Sequence, residues 1–259
     1  MFSAKDGRYS RQEMFYPIGE EGQKKISSGR VCIIGIGALG TAISNNIVRA
    51  GVGFVRLVDR DRVELSNLQR QVLFTEEDAK EKRYKARAAK AHLEKINSEI
   101  TIEEHVMDVT CENIESIICD VDVVLDGTDN LDIRYLINEA CHKHGIPWVY
   151  GGVAGSSGIV MDIIPKKGPC LECLLGNFPD DGSFDTANTA GIISPITTTV
   201  AAYETAEALK MLIGSEDTLR GAMALDLWEN YVDFLEVEKD PNCSVCSRHE
   251  YRHLEDRHK

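Results

Sequence analysis

Over its first 150 residues, the chain alternates between short β-branched runs and longer segments with a helical period. Strands are predicted at 31–34, 55–58, 121–125 and 148–150. Apolar residues recur with helical spacing over 38–50, where Gly51 is a typical helix stop, and a long charged helix is predicted over 76–96. This alternation predicts an α/β fold with a Rossmann-like, doubly wound, mainly parallel sheet covered by helices on both faces.

The pattern changes after residue 150. Strands are predicted at 158–164, 222–227 and 231–237, and a helix at 195–213. Pro195 at the first position of that helix agrees with the usual place of proline in helices. We expect these strands to extend the sheet in antiparallel fashion. Because no repeat or evident linker interrupts the sequence, residues 1–259 are interpreted as one domain.

A glycine-rich turn, GIGALG, follows the first predicted strand and opens the first predicted helix. Gly35, Gly37 and Gly40 permit a tight turn that brings backbone N–H groups and a helix N-terminus against a phosphate, and Ala38 belongs to the same candidate site. Asp59 lies 19 residues after Gly40, at the end of the next strand, where a carboxylate can accept both ribose hydroxyls. The turn alone is a weak signal, but the turn with this acid predicts a nucleotide site.

Polar and charged side chains continue beyond the ribose position, at Asp61, Ser66, Asn67 and Arg70. A second acid followed by amide and cationic donors suits a charged triphosphate better than a nicotinamide ring. Each cation taken alone is equally well explained as a solvated surface charge. A nicotinamide-dependent oxidoreductase therefore remains an alternative, since Asp59 would serve NAD as well.

Further candidates lie at the ends of predicted elements. Lys85 begins the segment KARAAKAHLEKIN, while Asp129 and Asn130 follow the strand at 121–125 in the string DGTDN. Ligands of doubly wound sheets bind at the carboxyl ends of the strands. Asp129 is therefore expected beside the nucleotide.

At these residues the chain resembles a known family. The strings GIGALG, LVDRD, SNLQRQ and DGTDN, preceded by RYSRQ, resemble the bacterial adenylating enzymes of the ThiF/MoeB/HesA family, relatives of the ubiquitin-activating enzymes. The resemblance spans Arg8 to Cys246. It implies ATP and Mg²⁺ as cofactors and adenylation of the C-terminal glycine carboxylate of a small ubiquitin-like sulfur-carrier protein ending in Gly-Gly, for thiamine or molybdopterin synthesis. It also implies a nucleotide-binding half at 8–150 and a carrier-binding and zinc half at 151–246.

The resemblance assigns the nucleotide contacts by matching motif. Asp59 would hold the ribose, while Asn67, Arg70 and Lys85 would hold the triphosphate. Lys85 is preferred over its neighbours as the phosphate lysine because the helix that follows it aligns with the family without a gap.

The remaining implied roles concern the metal and a second subunit. Asp129 would bind Mg²⁺ with support from Asn130, and Arg11 would reach the phosphates of the neighbouring subunit in a homodimer. Arg11, Arg70, Lys85 and Asp129 form the predicted catalytic set. Their task is to neutralise charge and align the attack, because a carrier carboxylate with a pKa of about 3.5 is already ionised at neutral pH.

Two CxxC pairs, Cys170 with Cys173 and Cys243 with Cys246, are separated by 69 residues. Four thiolates in two such pairs are typical of a closed, tetrahedral, structural Zn²⁺ site. A redox pair and two unrelated reduced pairs are the alternatives. Family resemblance also favours zinc.

The chain departs from the family at one position. Many members carry a cysteine shortly before a segment like TAGIISP, and Ala187 occupies that place here. A covalent thioester or acyl disulfide is therefore not expected, and a separate sulfurtransferase is a possible partner that completes sulfur transfer.

The charge balance limits the partners. With 29 Lys and Arg against 42 Asp and Glu, the formal net charge is −13, which disfavours nucleic acid as a ligand and predicts a neutral to basic contact face on the carrier. The polar N-terminus lacks a secretory signal, and no apolar run is long enough to span a membrane, so a cytoplasmic protein is expected.

Two alternatives to carrier activation stay open. One is a zinc-stabilised dimeric binding module without activity, suggested by Ala187. The other is a family member that activates a small molecule, a peptide or a tRNA base.

Overall fold

The computed structural model of the protein describes residues 7–176 and 191–255. Within these ranges, eight strands form a single sheet with the order β3-β2-β1-β4-β5-β6-β7-β8. The strands are β1 Arg30–Ile34, β2 Phe54–Val58, β3 Thr101–His105, β4 Val123–Asp126, β5 Trp148–Ala154, β6 Ser157–Ile163, β7 Ala222–Asp226 and β8 Tyr231–Leu235.

Helices connect the strands and cover the sheet. They are α1 Ser10–Glu13, α2 Gly19–Ser28, α3 Ala38–Ala50, α4 Glu76–Lys80, α5 Lys85–Ile96, α6 Ile114–Ile118, α7 Leu131–His144, α8 Leu171–Leu175, α9 Ser194–Ile213 and α10 Arg252–Glu255. Helix α3 ends as predicted, because Gly51 has a φ of 83° and its N–H caps the last turn. Among the described residues, no helix combines the length and the apolar character needed to cross a membrane.

The strand pairing confirms the predicted fold class. Strands β1 to β5 pair in parallel in the order β3-β2-β1-β4-β5. Strands β6, β7 and β8 extend the sheet in antiparallel fashion from β5. The chain therefore changes direction across the sheet between β1 and β4, which creates a crevice at the carboxyl ends of these two strands.

Alternate side chains of the central strands enter two cores. In β1, Val31 and Ile33 lie in the core shared with α3, α5 and α9, while Cys32 and Ile34 lie in the core shared with α6 and α7. Both faces of the strand are buried, as a parallel strand requires. The short apolar run VCII is explained by this double burial.

One predicted helix is wrong. The segment 76–96 is broken into α4 and α5, and Lys82 between them has a φ of 49°. The fully buried carboxylate of Asp78 stabilises the break, since it accepts hydrogen bonds from Thr75 (2.9 Å) and from Arg83 (3.0 Å) and contacts His92 at 2.8 Å. These contacts outweigh the helical propensity of the segment.

Strand β3 was not predicted. Its sequence, TIEEH, is largely polar, and only Ile102 is buried. As the edge strand beside β2, it is partly exposed and lacks the apolar pattern by which the inner strands are recognised.

Candidate functional site

The glycine turn between β1 and α3 is shaped by close backbone contacts. Gly35 has a φ of 87°, and a Cβ there would lie 2.6 Å from the carbonyl oxygen of Gly127. A Cβ on Gly40 would overlap the carbonyl oxygen of Gly35. At Gly37, by contrast, the nearest atom to a Cβ would be 3.8 Å away. Two glycines are therefore required by packing, and the third leaves space where a ligand can approach the backbone.

Asp59, at the end of β2, is joined to this turn. Its Oδ2 accepts a hydrogen bond from the N–H of Ile36 at 2.7 Å, and its Oδ1 accepts one from the N–H of Asp61 at 2.7 Å. Burial raises the pKa of Asp59, and the nearby charge of Lys85 opposes that rise. The carboxylate retains lone pairs with which it can accept further donors.

Lys85 is the cation that the fold places beside these acids. It starts α5 with only 8% of its surface exposed. Its backbone N–H donates to the carbonyl of Asp61 (2.9 Å), and its Nζ donates to Oδ2 of the same residue (2.9 Å). The guanidinium of Arg83 instead pairs with Asp78 and Glu81.

A short 3-10 turn, Leu65–Asn67, presents the next candidates. The side-chain oxygen of Asn67 accepts from the N–H of Glu64 at 3.0 Å, so this amide holds the turn together. Ser66 donates its hydroxyl to Glu64, and Arg70 donates its Nη1 to the carbonyl of Ser66 at 3.1 Å. The guanidinium of the half-exposed Arg70 is thus held beside Ser66 in this turn.

The loop DGTDN continues from β4. Asn130 caps α7, because its side-chain oxygen accepts from the N–H of Ile133 at 3.2 Å. Asp129 is exposed, and among residues 7–176 and 191–255 its carboxylate has no hydrogen bond or ion pair. An exposed carboxylate of this kind has the oxygen chemistry that Mg²⁺ prefers.

The structure also shows two residues at this loop that the sequence did not suggest. Asp126 is fully buried, and its Oδ1 accepts from the N–H and the hydroxyl of Thr128 at 2.8 and 2.7 Å. Arg134 of α7 donates to Oδ2 of Asp126 at 2.7 Å. In the sequence, the one signal for the Asp126–Arg134 pair is an acid at the end of a buried strand. Arg134 itself gives no signal, because its contact with Asp126 depends on how α7 packs.

The glycine turn, Asp59 and the DGTDN loop meet at the carboxyl ends of neighbouring strands. The N–H of Gly35 donates to Val58 of β2, and the N–H of Gly127 donates to Ile34 of β1, both at 2.8 Å. These bonds place the glycine turn, Asp59 and the DGTDN loop at the crevice between β1 and β4, the usual ligand site of such sheets.

Arg11 is not part of this crevice within one chain. It lies in α1, where Gln12 donates to the carbonyl of Ala50 at 3.0 Å, at the end of α3 opposite to the glycine turn. The guanidinium of Arg11 contacts the sulfur of Met14 at 3.4 Å. No hydrogen bond or ion pair joins it to the other candidates in the described part of the chain.

The four predicted metal ligands come together. The sulfurs of Cys170, Cys173, Cys243 and Cys246 all lie within 4.8 Å of one another. Two of the separations are 3.6 Å, between the first and third, and 3.5 Å, between the second and fourth. A tetrahedron with Zn–S bonds of 2.3 Å has sulfur separations of about 3.8 Å, so the cluster is compatible with zinc. The position of Ala187 lies outside the described residues.

Comparison with known sequences identifies relatives along nearly the whole chain. The family described as ThiF matches residues 9–245. "Sulfur carrier protein ThiS adenylyltransferase" of Bacillus subtilis is 50% identical over 226 residues, which are 86% of this chain and 66% of that protein. "Sulfur carrier protein adenylyltransferase" of Thermus thermophilus is 36% identical over 245 residues, which are 92% of this chain and 90% of that protein.

Solved structures show the same fold. The crystal structure of MccB from E. coli has a TM-score of 0.83 and 24% identity, and covers 98% of this chain and 75% of that chain. A structure of MccB with ATP has a TM-score of 0.81, 24% identity and coverage of 93% of this chain and 75% of that one.

Proposed function

The chain belongs to the ThiF family, and on that basis we propose that it uses ATP and Mg²⁺ to adenylate the C-terminal glycine carboxylate of a small ubiquitin-like sulfur-carrier protein. The products are an acyl-adenylate and pyrophosphate, and the acyl-adenylate serves later sulfur transfer in thiamine or molybdopterin synthesis. The observation that carries the proposal is the arrangement of Asp59, Asp61 and Lys85 around an open glycine turn. Relatives named as sulfur-carrier adenylyltransferases support the choice of substrate.

The nucleotide would lie along the crevice between β1 and β4. Asp59 would accept the ribose hydroxyls, and the backbone at Gly37 and Ala38 would face the phosphates at the start of α3. Lys85 and Arg70 would neutralise the phosphate charge. The carboxylate of Asp61 accepts from the Nζ of Lys85 at 2.9 Å and so orients this lysine.

The metal site would form at the DGTDN loop. Asp129 would supply a carboxylate oxygen to Mg²⁺, while Asn130 fixes the start of α7 behind it. Bound Mg²⁺ would lower the negative charge of the triphosphate. The chain's own cations then align the phosphates for in-line attack by a carboxylate that needs no general base.

Arg11 would act from a second subunit. Its position on α1, away from the crevice of its own chain, supports a homodimer in which each subunit lends this guanidinium to the phosphates of the other. The half at 8–150 would bind nucleotide, and the half at 151–246 would bind the carrier and zinc.

The carrier would dock at the β8 edge of the sheet. All five residues of β8 are exposed, and Phe234 of this strand and Trp228 just before it are 64% and 74% exposed. In the described part of the chain β8 is an edge strand, and exposed apolar side chains on such a strand are typical of a protein-binding surface. Asp233 on the same strand adds negative charge, which favours a neutral to basic carrier face.

Zinc would be structural. Four cysteines leave no open coordination position, so the metal would join the chain segments at 170–173 and 243–246 without taking part in the reaction. Sulfur transfer would need another protein, such as a separate sulfurtransferase, because Ala187 stands at the position of the family cysteine.

Carrier-dependent exchange of labelled pyrophosphate into ATP tests the function. With a purified carrier that ends in Gly-Gly, we expect exchange by the wild-type protein and a loss of at least about a hundredfold in Asp129→Ala and Arg70→Ala, because each removes a charge that the transition state requires. Asp217→Ala and Arg220→Ala change exposed residues of the same types outside the crevice and should retain wild-type rates. Wild-type exchange in Asp129→Ala and Arg70→Ala would refute the site, and exchange without any carrier would favour activation of a small molecule.

A further inference from the structure

Arg134 holds the DGTDN loop from one side. Its Nη2 donates to the carbonyl of Thr128 at 2.7 Å and to the carbonyl of Gly151 on β5 at 2.8 Å, while its Nε donates to Asp126 at 2.7 Å. The side chain is only 13% exposed. One guanidinium therefore ties the loop that carries Asp129 both to the end of β4 and to the neighbouring strand.

Apart from Asn130, which caps α7 on one side of Asp129, few bonds fix the backbone around Asp129. The N–H of Gly127 is bonded to Ile34, and Thr128 is bonded to Asp126. The carboxylate of Asp129 itself has no bond within the described ranges, so the backbone around it sets its position. Mg²⁺ requires oxygen ligands at about 2.0–2.1 Å in near-octahedral geometry, so a small shift of this backbone is costly.

Two further side chains surround Arg134 in the core. Its guanidinium lies 5.1 Å from the ring centre of Tyr150. Glu204 of α9 is also fully buried nearby, and burial raises its pKa well above the usual range. Asp126 is the carboxylate that pairs directly with Arg134, and this cation opposes the rise that burial causes in the pKa of Asp126.

We propose that Arg134 is a positioning residue for magnesium: its forked bonds to Thr128 and Gly151 hold Asp129 where the metal requires it. The inference rests on the proposed function, because it takes Asp129 as the Mg²⁺ ligand. Arginine offers planar, divergent donors that a lysine cannot reproduce. A lysine at this position keeps the charge beside Asp126 but cannot hold both carbonyls.

Calorimetric titration of ATP into the full-length protein, with Mg²⁺ and again with EDTA, measures the metal contribution without catalysis. In Arg134→Lys we expect the gain in ATP affinity from Mg²⁺ to fall about tenfold, as is common when the support of a metal ligand is removed. ATP affinity in EDTA should stay within about twofold of wild type, since the phosphate cations are untouched. In pyrophosphate exchange, the half-saturating Mg²⁺ concentration should rise, and excess Mg²⁺ should restore most of the rate.

Arg56→Lys is the matched control. Arg56 is also buried and donates to a backbone carbonyl, that of Ile117, and to Asp120, both at 2.6 Å, but these partners lie on α6 and the turn after it. The variant is expected to lose stability and to keep the wild-type Mg²⁺ dependence. An equal loss of Mg²⁺ dependence in both variants, or none in Arg134→Lys, would overturn the proposal.

A second variant covers the case in which Arg134→Lys does not fold. Thr128→Val removes one hydroxyl bond to Asp126 and keeps the arginine, so a smaller shift of about threefold in the same direction is expected. An unchanged Mg²⁺ gain in Thr128→Val would then count against the proposal. Failure of the proposed function is distinguishable, because the wild-type protein would show no carrier-dependent exchange at any Mg²⁺ concentration.

Discussion

At the scale of single residues, two buried acids share one environment. Asp162 of β6 and Glu207 of α9 both accept from the N–H of Leu219 at 3.0 Å. Burial and the adjacent Glu207 raise the pKa of Asp162 to about 9. Asp162 therefore holds a proton in the folded protein at neutral pH, whereas in the unfolded chain it loses that proton above its ordinary pKa of 3.8.

This difference makes Asp162→Asn a pH-dependent stabilising change. Since the folded-state pKa is raised, the native protein binds more protons than the unfolded chain between pH 4 and 9, and its stability falls as the pH rises through that range. The amide cannot ionise, so its advantage in the free energy of unfolding should grow with pH by up to about 1.4 kcal/mol per pH unit. Urea unfolding at pH 5, 6.5 and 8 measures it, with exposed Asp217→Asn as the control. An advantage that does not change with pH would contradict the assignment.

The site residues that could be predicted from the sequence are those whose constraint is local. Gly35 and Asp59 stand at fixed spacings around one turn, so the motif reveals them before any packing is known. Arg134 could not be predicted in this way, because its partners Thr128 and Gly151 are brought to it by the packing of α7 against β5. Local pattern identifies the turn but not the side chains that support it.

At the scale of elements, the break between α4 and α5 determines where Lys85 lies. The sequence predicts one continuous helix, because no glycine or proline marks the break and Lys82 adopts its positive φ without such a signal. Buried Asp78 replaces that signal with bonds to Thr75 and Arg83. The fold class was easier to predict than this break. It depends on the alternation of strands and helices over the first 150 residues, which is the same whether 76–96 forms one helix or two.

Removing the buried carboxylate should disturb both stability and nucleotide binding. In Asp78→Ala, the N-cap of α4 is weakened, and Arg83 and His92 lose the carboxylate that they contact, so we expect a loss of about 2–3 kcal/mol in the free energy of unfolding. ATP binding should weaken as well, because α5 begins at Lys85. Glu77→Ala, at an exposed neighbour in the same helix, should change stability by at most about 0.5 kcal/mol. Equal effects of the two substitutions in denaturant titration would show that Asp78 does not fix the break.

At the scale of the whole molecule, the cysteine cluster joins distant parts of the chain. Cys170 and Cys243 are 73 residues apart in sequence, yet their sulfurs are 3.6 Å apart. Glu172 adds a second link, since it accepts a hydrogen bond from Ser244 at 2.7 Å. A metal here would anchor the segment around 243–246 to α8 and, through the bond from Leu171 to Asn138, to α7.

Loss of the metal should therefore lower stability. We expect about one zinc per chain by elemental analysis of the purified protein, and its loss in Cys246→Ser. The melting temperature of that variant should fall by about 5–10 °C, since a few kcal/mol corresponds to such a shift in a chain of this size. Cys119→Ser changes an exposed cysteine outside the cluster and should retain both zinc and melting temperature. Wild-type protein without zinc would refute the metal site.

Within residues 7–176 and 191–255, β8 is an edge strand of the sheet, which affects how copies of this protein associate with one another. Strand β8 pairs with β7 on one side only, so its other edge can in principle pair with the same strand of another molecule, and the exposed Val232 and Phe234 favour such aggregation. Asp233 lies between these residues, and Glu229 and Glu236 flank the strand. Two identical acidic edges repel each other, whereas an unlike, more basic edge is attracted. Self-pairing of β8 is thus opposed by its own charge, whereas pairing with a more basic strand would not be.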